Sequence, residues 1–298
     1  MTTPSPTPRP DVASFFDPAT NTITHIISDS LTKGAAIIDS VLDYDSASGK
    51  ISYESADALI AYVHERELHV EWILETHIHA DHLSAAPYLQ EKLGGALGIG
   101  ENIIDVQTIF GDVFNAGTEF SRDGSQFDKL WREGEEFTVG TIPGGILFTP
   151  GHTPADVSYL IGDALFVGDT LFMPDYGSAR CDFPGGSAKT MFESVQKIFS
   201  LPEETRIFLC HDYLPEGRTE YVWETTVGEE KERNIHLKVG TIAEEFIETR
   251  TTRDKILGMP KLIIPSIQVN MRAGNVPEAE DNSVQYLKIP LNSIFAKE

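Results

Sequence analysis

The chain alternates short apolar runs with polar turns, and the runs fall into two kinds. Residues 70–74, 145–149, 164–167 and 206–210 are short and mostly apolar, with Glu71 and Arg206 the charged exceptions, which predicts buried strands. Other stretches carry apolar residues at helical spacing. Residues 55–67 place Ala58, Leu59, Tyr62 and Val63 on one face, and 187–199 reads as a helix stopped by Leu201-Pro202. Residues 83–93 read as a third helix, with Asp81 in the capping position and Gly94-Gly95 closing it. Two more are expected over 224–233 and 242–250, followed by Pro-punctuated extended segments. Residues 14–45 carry strand-like groups broken by Asp17-Pro18 and Lys33-Gly34. Residues 111–136 are polar and poor in periodicity, which predicts a surface excursion. There is no repeat and no low-complexity linker. The expected organisation is a disordered head over 1–10 and a single α/β domain over 11–298, with a core to about 214 and a cap over 215–298.

Each of the four strand-like runs ends at residues suited to binding a metal. The first leads into Thr76-His77-Ile78-His79-Ala80-Asp81-His82. The others lead into Pro150-Gly151-His152-Thr153, Gly168-Asp169-Thr170 and His211-Asp212-Tyr213. Imidazole nitrogen and carboxylate oxygen are the donors that zinc, manganese and ferrous iron accept. His77 and His79, at i and i+2 on an extended segment, point the same way and are expected to converge on one point. The turn through Ala80 takes Asp81 and His82 to a neighbouring one. Alone, His152 or Asp169 reads as a cap or surface residue. Repetition of the same grammar joins His77, His79, Asp81, His82, His152, Asp169 and His211 into one constellation held at strand ends.

Charge narrows the partners. With 23 Lys and Arg against 46 Asp and Glu, the net charge is −23, which argues against nucleic acid and anionic membranes. No apolar run approaches the roughly 20 residues of a membrane helix. Residues 1–10 are Pro/Thr-rich without an apolar stretch, so no secretory signal is expected. Two cysteines, Cys181 and Cys210, suggest no disulfide framework, and a reducing cytoplasm is the expected location. Cys210 ends an apolar strand and reads as core. Cys181 follows Arg180, whose charge would lower a thiol pKa; it reads as oxidisable or as a plain buried or loop residue. An anionic substrate would need a local cation. Arg180 and Arg272 are the candidates, with an ordinary ion pair the alternative for each.

The ligand pattern resembles the metallo-β-lactamase fold superfamily over most of the chain. The resemblance implies a four-layer αββα sandwich with metal ligands at one edge of the paired sheets, here with a C-terminal extension. Gly168-Asp169-Thr170-Leu171 followed by Gly177-Ser178-Ala179-Arg180-Cys181-Asp182-Phe183, and Asn270-Met271-Arg272-Ala273-Gly274, resemble the persulfide dioxygenases, relatives of glyoxalase II. Thr225-Thr226-Val227-Gly228-Glu229-Glu230-Lys231 and Asn234 resemble that branch too.

That branch implies one Fe(II) per chain on His77, His152 and Asp169, with His79, Asp81, His82 and His211 orienting the ligands. The implied reaction oxidises glutathione persulfide, or a similar low-molecular-weight persulfide, with O2 to sulfite and thiol. Zinc hydrolases of the superfamily instead imply two Zn(II), one on His77, His79 and His152 and one on Asp81, His82 and His211, with Asp169 between them. A thioester hydrolase of glyoxalase II type is therefore the alternative. A non-catalytic metal-containing binding or sensing module is a third, against which the complete ligand set speaks. The resemblance sets Tyr213 near the metal, where its hydroxyl could bond a ligand; a core aromatic is the other reading. It favours Arg180 over Arg272 as a substrate contact. Met173-Pro174-Asp175-Tyr176 is longer and more Pro-rich than the corresponding loop, so the substrate is expected to differ or to be held differently, with Tyr176 a further contact. A homodimer is the family expectation.

Overall fold

The computed structural model describes residues 9–292. The chain first forms β1 (Asp11–Asp17), β2 (Thr22–Ser28), β3 (Gly34–Ile38), β4 (Val41–Asp45), β5 (Lys50–Ser52), α1 (Glu54–Glu65) and β6 (His69–Leu74). There follow β7 (Leu83–Ser84), α2 (Ala86–Leu93), β8 (Ala96–Gly100), α3 (Ile103–Val113) and β9 (Lys129–Trp131). The second half supplies β10 (Glu136–Val139), β11 (Ile142–Phe148), β12 (Val157–Ile161), β13 (Ala164–Phe166), α4 (Ala188–Phe199) and β14 (Arg206–Phe208). It ends with β15 (Glu224–Thr226), α5 (Val227–Arg233), α6 (Ala243–Asp254) and α7 (Ile263–Asn270). One six-stranded sheet has the order β1-β2-β3-β6-β8-β9, and a second has β10-β11-β12-β13-β14-β15. β5-β4-β7 form a small third sheet.

Strand alternation builds the layers. In register pairs Ile26–Ile37 and Ile37–Ile73, the side chains face one side of the first sheet, where they meet Leu59 of α1, Leu89 of α2, Val106 of α3 and Ile267 of α7. Their neighbours Ile27, Ala36, Ile38 and Leu74 face the other way and pack on Ile146, Tyr159, Phe166 and Phe208 of the second sheet. The far side of that second sheet presents Leu165 and Ile207 to Met191, Val195 and Ile198 of α4 and Phe246 of α6. The result is the αββα sandwich, with three buried cores between its four layers.

Several local expectations need correction. The helix read over 83–93 starts at Ala86, because Leu83–Ser84 pairs with β4 and Pro87 fixes the first turn. Asp81 is therefore not its cap, and no side chain caps it. The polar stretch 111–136 is not a surface excursion: it holds the end of α3 and all of β9, and it buries Phe114, Phe120, Phe127 and Trp131. Four aromatics at irregular spacing anchor it without any period to read. Residues 224–226 are a strand rather than helix, and Thr226 then caps α5 by accepting from the Glu229 amide. The extended tail contains α7, whose Ile263 and Ile267 enter the first helical layer. The disordered head lies mostly outside the described residues; Arg9, which is described, pairs with Asp163 at 3.5 Å.

Candidate metal centre

The seven ligand-type residues leave the same edge of the sandwich. His77, His79, Asp81 and His82 follow β6 of the first sheet. His152, Asp169 and His211 follow β11, β13 and β14 of the second. The loops meet closely: Gly168, at φ +52°, lies where a Cβ would stand 2.5 Å from Thr76 Oγ1, so only glycine fits there.

Two residues that sequence reasoning gave no role hold the loop after β6. Asp39, buried just beyond β3, accepts from the Thr76 amide and hydroxyl at 2.8 Å each and lies 3.0 Å from His79 Nε2. Asn270 at the end of α7 donates to the carbonyls of His79 (2.9 Å) and His82 (2.8 Å) and accepts from the Ser84 amide (2.8 Å). Glu75, also passed over, accepts from Ser84 and sits 3.4 Å from His79 Nε2. The available signals were an acid directly after an apolar strand, in the cases of Asp39 and Glu75, and the Asn270 position inside a motif already noted.

Donor atoms of His77, His152 and Asp169 lie within 4.8 Å of one another, and so do those of His79, Asp81 and His82. The His77 and His79 rings are 4.1 Å apart as the alternation predicts, yet their open nitrogens serve different triads. His152 Nδ1 lies 2.8 Å from the Arg180 carbonyl, His82 Nδ1 3.0 Å from the Leu83 carbonyl and His211 Nδ1 3.1 Å from the Asn21 carbonyl. A proton on each Nδ1 leaves each Nε2 free to bind a metal. His77 Nε2, His79 Nδ1, His82 Nε2, His211 Nε2 and Asp169 Oδ1 are buried without a hydrogen-bond partner. Leaving five such atoms unsatisfied is costly, and a divalent cation among them removes the cost. The donor set thus fits one or two such ions.

Electrostatics agree with a site built for positive charge. Burial, reinforced by the neighbouring histidines, drives the His77 pKa well below its ordinary value, so the ring is a neutral ligand. Burial opposes a charge on His211, but Asp169 and Asp81 outweigh it and raise the pKa well above the ordinary value. Burial likewise opposes ionisation of Asp81, which His211 and the other histidines nevertheless lower to about 2.

The centre opens into a cavity of about 750 Å³ lined by His152, Asp169, Asp81, Phe172, Tyr176 and Tyr213, among others. Tyr213 stacks on His211 at 5.5 Å and lies 5.2 Å from the Tyr176 ring. Arg180 also lines the cavity, but Asp182 takes its Nε and Nη2 at 2.6 and 2.9 Å, and the Gly258 carbonyl takes Nη1 at 2.6 Å. Arg272 is not at the cavity: its guanidinium lies 4.5 Å over the Phe120 ring and donates to the Gln268 carbonyl. The cations that sequence reasoning missed come from the cap. Arg253 and Lys261 line the cavity and are exposed, and their side chains carry no hydrogen bond or ion pair among the described residues. Cys181 is no activated thiol: burial, then the charge of Asp254, pushes its pKa well up.

Residues 27–211 match the model of the metallo-beta-lactamase superfamily. The chain belongs to that superfamily. It is 51% identical over 293 residues to a probable metallo-hydrolase of Burkholderia pseudomallei, covering 95% of this chain and 99% of that one. It is 52% identical over 269 residues to glyoxylase B2 of Dictyostelium discoideum, covering 90% and 92%. The human mitochondrial persulfide dioxygenase ETHE1 is 29% identical over 263 residues, 87% of each chain. The crystal structure of ETHE1 from Myxococcus xanthus superposes with a TM-score of 0.70 at 30% identity, over 89% of this chain and 100% of that one. A superfamily enzyme of hydrolase or dioxygenase type, acting on a small molecule through a metal held by the His/Asp cluster, is the common ground of these likenesses. Among the described residues no helix is long and apolar enough to cross a membrane.

Proposed function

We propose that the chain is a persulfide dioxygenase, in which glutathione persulfide or a similar low-molecular-weight persulfide reacts with dioxygen and water to give sulfite and thiol. His77, His152 and Asp169 would hold one ferrous iron per chain. The observation that carries this reading is that triad: two imidazoles and one carboxylate with donor atoms within 4.8 Å, opening on the cavity through His152 and Asp169. Two imidazoles and one carboxylate are a donor set that ferrous iron accepts, and the iron would supply the oxygen chemistry that a persulfide needs. The resemblance to ETHE1 of Myxococcus xanthus and of human mitochondria supports it.

The chain's own residues bind and orient. The carbonyls of Arg180 and Asn21 fix the His152 and His211 rings. Burial, then Asp169 and Asp81, push the Tyr213 pKa well above its ordinary value, so the hydroxyl stays protonated and donates to an anionic sulfur group. Phe172 and Tyr176 form an apolar wall that limits water. Arg253 and Lys261 meet substrate carboxylates that the −23 of the whole chain would otherwise repel.

A second reading, a binuclear zinc thioester hydrolase, is favoured by the unpaired nitrogens of His79, His82 and His211 and by the 52% identity to glyoxylase B2. The deciding experiment is metal analysis of protein purified without added metal, with oxygen uptake measured on glutathione persulfide. About one iron per chain and sulfite formed in step with oxygen consumed supports the dioxygenase. About two zinc and thioester hydrolysis without oxygen uptake supports the hydrolase. Full metal with neither activity leaves the binding module.

A further inference from the structure

We propose that Cys210 is a metal donor, and that with His79 and His211 it makes the second metal position a soft one, which takes zinc in preference to ferrous iron. Cys210 lies two residues beyond β14 and is almost fully buried as a free thiol. Its Sγ stands within 4.8 Å of donor atoms on both His79 and His211. Those two rings are 0% exposed, and each retains a buried nitrogen without a hydrogen-bond partner, Nδ1 on His79 and Nε2 on His211. A buried cysteine ordinarily packs among apolar side chains. This one faces two imidazoles instead.

The chemistry differs between the two halves of the centre. His77, His152 and Asp169 offer nitrogen and oxygen only. The other half adds sulfur, and soft thiolate selects zinc where nitrogen and carboxylate accept iron as readily. Asp81 Oδ2, 3.3 Å from His211 Nε2, is a fourth donor, and four protein donors are the usual number for a closed zinc site. As the sulfur–metal bond forms, the thiol proton passes to solvent, and nothing is oxidised or reduced. The inference rests on the metal centre and not on the dioxygenase reading.

Cobalt(II) reports sulfur ligation directly, because a thiolate on cobalt gives a charge-transfer band in the near ultraviolet. The whole chain, freed of metal and titrated with cobalt, is expected to develop that band with the second equivalent. Cys210→Ser should lose the band and weaken the second equivalent by more than the about 10- to 100-fold that loss of an outer partner costs. Cys181→Ala should keep both. A wild-type protein that binds two equivalents without the band, or a band that persists in Cys210→Ser, overturns the proposal. The wild-type spectrum with the Cys181→Ala control decides the matter even where Cys210→Ser does not fold. Oxygen uptake on persulfide is a separate measurement, so failure here leaves the proposed reaction standing.

Discussion

At the scale of single residues, the centre depends on groups that have no substitute nearby. His152 and Asp169 supply two of the three donors in the cavity-facing triad. His152→Ala and Asp169→Ala are each expected to purify without stoichiometric iron and to lose activity; metal analysis of either variant checks this, and retained iron would sink the triad. The proposed substrate capture falls to different residues. Arg180 was the sequence candidate, but Asp182 and the Gly258 carbonyl already engage its guanidinium. Arg253→Ala and Lys261→Ala should each raise KM for an anionic persulfide by about twofold to fivefold with kcat nearly unchanged, the upper range of exposed charge pairs. Steady-state oxygen-uptake kinetics separates KM from kcat, and an unchanged KM in both would remove the cap from substrate binding.

At the scale of elements, α5 and α7 matter more than their length suggests. Asn270 at the end of α7 ties three backbone groups of the metal loop together. Asn270→Ala should cost about 1–3 kcal/mol of stability and lower metal affinity by about 10- to 100-fold, checked by denaturant unfolding and competition with a chelator. In α5, burial raises the Glu230 pKa to about 8, and one carboxylate oxygen accepts from Asn234 at 2.7 Å. The folded state therefore binds this proton more tightly than the unfolded chain. Stability from Glu230 is fully present below its ordinary carboxylate pKa and is lost as pH rises through about 8. Between pH 5 and 8 the loss is on the order of 3 kcal/mol. Glu230→Gln should flatten that slope in urea midpoints measured across the range; an equally steep slope would show that other groups carry it and that folding does not raise the Glu230 pKa.

At the scale of the whole molecule, the metal centre is a clasp between two sheets. His77, His79, Asp81 and His82 come from the first sheet, while His152, Asp169 and His211 come from the second. An ion bound only by the folded chain stabilises it by mass action, about 4 kcal/mol at a thousandfold excess over Kd. Chelation should therefore lower Tm by on the order of 10 °C for a chain of this size, recovered on adding metal back. Calorimetry with and without chelator tests this, and an unchanged Tm would mean that the sandwich closes without its ion.

What the sequence determined by itself was the alternation and the ends of strands. Apolar runs at 70–74, 145–149, 164–167 and 206–210 are strands or continue directly from them, and each leads into its ligand residues because strand direction and turn position are local properties. The superfamily was legible because the ligand pattern at those strand ends resembles it, and the αββα layering was what that resemblance implied. Tertiary structure decided what distant segments do to one another. Asp39 lies 40 positions from His79 and Asn270 lies 191 from it, so neither contact leaves a periodic trace. The resemblance ranked Arg180 above Arg272, but only folding shows that one reaches the cavity while the other lies on Phe120. Cys210 reads as core because its strand is apolar, and only folding brings its sulfur beside His79. A donor's chemistry is written in its side chain; its company is settled by packing.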